Sequence, residues 1–169
     1  ELDTFSRLPL VAAVGYLMSY DRAPDDVDAK INDAAYVGVT TRGAFSPNTV
    51  INDARQRWLF RMVHTQRPLQ EKLALFWHNH FATAYSKLAG TFGAEHGAKM
   101  IDAKASEVAG NRRGQIQLFR DMALANFDDL LIEVAKDPAM LVWLDGRLNV
   151  RARPQENFGR ELMELFTTG

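Results

Sequence analysis

Cysteine is absent from this chain of 169 residues, which removes disulfide frameworks, thiolate metal sites and cysteine nucleophiles together. Charge of one sign is missing as well. The 20 basic and 21 acidic residues leave a formal net charge of −1, so no overall field draws nucleic acid or an anionic membrane surface. Long apolar runs are also lacking: 8–18 and 73–77 fall far short of the roughly 20 residues a transmembrane helix needs, so no transmembrane segment is expected. No basic stretch precedes an apolar one at the start, so no signal peptide is readable; the opening Glu1, in place of Met, leads us to expect that a segment has been removed. The sequence has no G-x-S-x-G elbow, phosphate loop or dinucleotide fingerprint. Alternating β-branched runs, the mark of half-buried strands, are scarce.

What is present is helical patterning. Hydrophobic residues make up 47 % and recur mostly at spacings of three and four, enough to bury one core. We expect an all-α fold, an irregular orthogonal helical bundle of about seven to eight helices, as a single domain over residues 1–169. The pattern predicts helices over 8–19, from 25 or 26 toward Tyr36, and from a cap at Asn48 or Thr49 to about His64. Trp58, Leu59, Met62 and Val63 are the expected buried stripe of the third. Pro68, suited to a first helical turn, opens the next one, expected to run to about Leu88. Residues 90–114, with several glycines, read as a flexible or variable insertion, helical in part over 99–108. Further helices are expected over 115–125, from a cap at Asn126 to Asp137-Pro138, over 139–144, and from Pro154 to near Gly169. Two arginine groups, Arg112 with Arg113 and Arg147 with Arg151 and Arg153, read as solvated loops.

The stretch "LALFWHNHFA" at 73–82 places His78, Asn79 and His80 inside an apolar run. With about 100° per residue, the helix over 68–88 carries apolar side chains on both sides and should be the buried centre of the bundle. Its three letters match the name of a nuclease motif. That motif scatters its residues over strands and a helix, whereas here they are contiguous in one predicted helix. His78 and His80 point roughly 200° apart, so they cannot chelate one ion from a regular helix. Neither has a carboxylate or histidine at three or four positions. Glu71 shares the His78 face but lies roughly 10.5 Å along the axis. The expected fate of each ring is a hydrogen bond to a neighbouring helix.

The last segment, "PQENFGRELMELFTTG" at 154–169, has Glu156, Arg160, Glu161 and Glu164 on one arc, opposite Phe158, Leu162, Met163, Leu165 and Phe166. Glu156, Arg160 and Glu164 are spaced for an ion-pair ladder. A second use of this arc is also open. Glu161 or Glu164 could meet His78 or His80 from a facing helix, the way bundle metal sites are assembled. The metal candidates are therefore His78, His80, Glu71, Glu161 and Glu164, for a divalent ion. No catalytic residue and no reaction is assignable.

"RPLQEKLALFWHNHFAT" (67–83), "DPAMLVWLD" (137–145) and "PQENFGRELMELFTTG", in that order and with "ALANFDDLLIEVAKDPAML" joining the last two, resemble the bacterial domain-of-unknown-function 1800 family. The likeness is good over 55–169 and weak over the first 50 residues. Gln155 stands where the family usually has Asn, and Gly159 where alanine is common. The resemblance implies a longer, exported, periplasmic-type bacterial protein of which this is an N-terminal portion, and it brings no assigned reaction. The expected role is a structural or interaction domain that assembles with the missing C-terminal part or a protein partner, not with nucleic acid. The alternative is a metal-dependent enzyme domain using a buried histidine and the glutamates of the last helix.

Overall fold

Proline and short polar side chains place several of the helix starts. Pro68 sits in the first turn of one helix, where its missing N–H leaves nothing unpaired. Asn126 accepts the N–H of Asp128 at 2.9 Å, and Asp137 accepts that of Met140 at 3.0 Å, so each caps the helix that follows. The computed structural model describes residues 6–31, 33–36, 38–39, 41–110 and 112–167; Glu1 and Gly169 lie outside them. Its α-helices are α1 (Leu10–Met18), α2 (Ile51–His64), α3 (Pro68–Phe81), α4 (Tyr85–Phe92), α5 (Ala94–Asp102), α6 (Gln115–Asp121), α7 (Phe127–Lys136), α8 (Pro138–Trp143) and α9 (Glu156–Phe166). Single 3-10 turns occupy Tyr20–Arg22, Val27–Lys30, Ala105–Glu107 and Gly146–Leu148. The fold is all-α: among the described residues there is no strand, only an isolated bridge between Val150 and Arg153.

Three elements differ from the sequence expectation. The central helix does not run to 88. Ala82 takes a left-handed conformation (φ 41°, ψ 41°), gives its N–H to the His78 carbonyl, and ends α3. Ala84 is extended, and α4 begins at Tyr85 in a new direction. Residues 90–114 hold the end of α4, the whole of α5 and the Ala105–Glu107 turn, with the helix at 94–102 rather than 99–108. Gly93 at φ 89° lets the chain pass from α4 into α5. These changes bring the α-helices among the described residues to nine. Among its described residues, the stretch expected to be helical toward Tyr36 holds the Val27–Lys30 turn and no α-helix.

Packing explains why α5 belongs where it is. Ala98, Ile101, Asp102 and Ala103 are all buried. A side chain at Gly114 would fall 2.7 Å from the backbone nitrogens of Asp102 and Ala103, so the chain entering α6 lies directly on the end of α5. Two apolar clusters result. The larger joins Ala74 and Phe81 of α3 to Leu118 and Phe119 of α6, Leu130 and Val134 of α7, Met140, Leu144 and Phe166. The smaller joins Leu88, Ile101, Ile116, Ala139 and Val142.

The stripe expected on α2 is rotated. Leu59 and Val63 are 62 % and 71 % exposed, whereas Asp53, Ala54, Arg57, Phe60 and Arg61 face inward. The central helix is likewise not covered all round, since Leu75 and Phe76 are about half exposed.

Candidate functional site

The inward arginines of α2 explain its rotation. Glu71, one turn into α3 and 2 % exposed, accepts hydrogen bonds from three directions. Arg61 donates through Nε at 3.0 Å, Arg120 of α6 through Nε at 2.9 Å, and the Trp58 indole at 3.0 Å. Arg61 extends outward to Asp25 at 2.8 Å and Asp28 at 3.4 Å, the latter also paired with Lys104. One turn earlier on α2, Arg57 meets Asp102 at 2.8 Å and Glu107 at 2.6 Å. Burial pushes the Asp102 carboxyl up from its ordinary value, against the pull of Arg57 and Arg120. The hub therefore fastens α2, α3, α5 and α6 by ion pairs taken out of water. Such pairs add little net stability over an apolar core of the same shape, but losing one partner strands the other.

Glu71 is thus held by two guanidinium groups and an indole. Composition alone does not single out Arg57, Arg61, Arg120 or Asp102. A signal was present: Ala54, Arg57, Trp58 and Arg61 follow helical spacing, which puts the arginines on the apolar side of α2.

The two histidines diverge. His80 Nε2 lies 3.0 Å from the Phe166 carbonyl at the end of α9, within a group of rings formed by Phe76, Trp77, Phe127 and Phe166. No hydrogen bond joins the His78 ring to another of the described residues. Its Nδ1 is buried without a partner, and its ring meets the edge of Trp58 (centroids 5.4 Å apart) and Phe119 (6.3 Å). Desolvation lowers its pKa, which favours a neutral ring. His78 borders a pocket of about 420 Å³ walled by Ile51, Ala54, Trp58, Ile101 and Ile116, with the α3–α4 turn and the start of α4 (83–86) closing one side and Arg55 on another.

That turn is anchored from below. The Thr83 hydroxyl donates to Gln115 Oε1, and Gln115 Nε2 donates to Asp137 Oδ2 at 2.9 Å. All three residues are buried, so a hydrogen-bonded chain runs from the pocket wall to the cap of α8.

The glutamates of α9 lie elsewhere. Arg160 donates to Glu164 at 2.9 Å, Glu161 at 2.6 Å and Asn157 at 2.6 Å, with Glu164 exposed and Glu161 half-buried. Glu156 is exposed in the first turn. Among the described residues, no group of three or more histidine, aspartate or glutamate side chains is placed to hold a metal ion. The two arginine groups converge in part: Arg112, Arg113 and Arg147 border one open groove with Lys136 and Glu133. Arg113 is engaged by Asp121 at 2.6 Å, and Arg147 lies over the Phe92 ring.

Fold and site together define an all-α protein with a charged hub beside one small apolar pocket. The chain belongs to the family described as Protein of unknown function (DUF1800), whose model matches residues 1–169. No curated protein and no solved structure matches it.

Proposed function

We propose that this chain is a non-catalytic assembly domain of an exported bacterial protein, docking through exposed apolar helix faces onto the remainder of a longer polypeptide. One observation carries the reading. Five of the nine residues of α1 (Leu10, Val11, Val14, Tyr16 and Met18) are large, apolar and exposed, Leu10 and Val11 by 79 % and 84 %. Scattered apolar side chains are ordinary on a surface, but a run of them along one helix marks a surface that meets something. Leu75 and Phe76 on α3 and Met163 and Leu165 on α9 add to the same reading. Among the described residues no helix is long and apolar enough to cross a membrane.

Sedimentation velocity and hydrophobic-dye binding on the 169-residue chain test this directly. The expected result is self-association and dye binding by the chain alone. Both should fall when the rest of the parent polypeptide is added as a separate fragment, and in the variant Leu10→Lys/Val11→Lys with an unchanged circular dichroism spectrum. A monomer that binds no dye would remove the basis of the proposal.

A further inference from the structure

We propose that the pocket beside His78 is a binding site for a small uncharged hydroxyl compound with an apolar body, such as a phenol or a cyclic alcohol, whose hydroxyl bonds the His78 ring. The volume, about 420 Å³, suits a compound of one or two rings. The walls from α2, α5 and α6 are Ile51, Ala54, Trp58, Ile101 and Ile116, so the body of the ligand meets hydrocarbon and one indole. Among the described residues no carboxylate lines the pocket, so none there attracts a metal or an organic cation. The one cationic side chain there, Arg55, is exposed and donates to Asn52 at 3.2 Å.

The polar groups around His78 are committed elsewhere. The Trp58 indole donates to Glu71, the Thr83 hydroxyl to Gln115, and the Tyr85 hydroxyl to the Ala94 carbonyl at 3.4 Å. Ser86 at the rim is exposed, whereas the Nδ1 of His78 is buried and has no hydrogen-bond partner among the described residues, a costly state for a polar atom. A neutral imidazole offers one donor and one acceptor, and a hydroxyl can answer either, whichever tautomer is present. An apolar ligand of the same shape would leave the ring unanswered. This inference is independent of the assembly role, since none of the pocket's walls lies on α1.

The test is a titration of the full chain with phenol and, separately, with toluene, followed by the side-chain nitrogen resonances of His78. His78→Gln assigns those resonances among the four histidines. We expect saturable movement with phenol and about five- to ten-fold weaker binding of toluene, the discrimination one hydrogen bond carries. In His78→Phe, read by Trp58 fluorescence, the preference for phenol should vanish; in His78→Gln, which keeps a hydrogen-bonding group, part of it should remain. That second variant decides the matter if His78→Phe does not fold. Equal binding of phenol and toluene, or phenol leaving the His78 resonances unmoved because water alone satisfies the ring, would overturn the proposal.

Discussion

Asp137→Asn should flatten the pH dependence of this domain's stability. Asp137 is 5 % exposed, and its Oδ2 accepts both the Met140 N–H and the Gln115 amide. Burial nevertheless pushes the carboxyl up from 3.8 to about 7, outweighing those two bonds and the more distant pull of Arg113. The folded state therefore holds this proton more tightly than the unfolded chain does. The stabilisation this brings is fully present below the unfolded value of 3.8 and is lost as the pH rises through about 7. At about 1.4 kcal/mol per unit, the swing is on the order of 4 kcal/mol. Asparagine keeps an oxygen for the Met140 N–H and cannot ionise, so the variant serves as its own reference for every other titrating group. Urea unfolding at intervals from about pH 4 to about pH 8 should show wild type losing that amount relative to Asp137→Asn. Parallel profiles would refute the reasoning. A wild type that gains on the variant as the pH rises would mean that the two hydrogen bonds, and not burial, decide the carboxyl's state.

Two further substitutions probe the hub and the break in the central helix. Glu71→Gln leaves Arg61 and Arg120 buried without their shared carboxylate and should cost about 3–5 kcal/mol in urea unfolding; a loss under about 1 kcal/mol would contradict a desolvated hub. Ala82→Gly relieves a left-handed alanine and should raise stability by about 1 kcal/mol, whereas a loss of stability would argue that α3 does not end there.

The helix starts were legible because they rest on local chemistry: Pro68 with its missing N–H, and the side chains of Asn126 and Asp137 folding back on their own helices. The end of α3 was not. Neither Ala82, Thr83 nor Ala84 is a helix breaker, and the contact that holds the turn is the bond from Thr83 to Gln115, 32 residues away. The same distance in sequence hid the hub. Glu71 drew notice as a metal candidate because the pattern shows a carboxylate near histidines, while its true neighbours Arg61 and Arg120 lie 10 and 49 positions off. On α2, hydropathy alone turned the helix the wrong way: Leu59 and Val63 outrank arginine on any apolar scale, but ion pairs drew Arg57 and Arg61 inside. Charged residues with committed partners break the assumption on which a hydrophobic stripe is read.

One of the shorter α-helices of the bundle, α6, carries contacts to every part of the core. In the seven residues of α6, Ile116 belongs to one apolar cluster and Leu118 and Phe119 to the other, Arg120 to the hub, and Gln115 to the chain that ties Thr83 to Asp137. A helix of that length has almost no persistence of its own in water, so its form is imposed by everything around it. Fraying it opens both clusters, so we expect its hydrogen-bonded amides to be among the slowest to exchange.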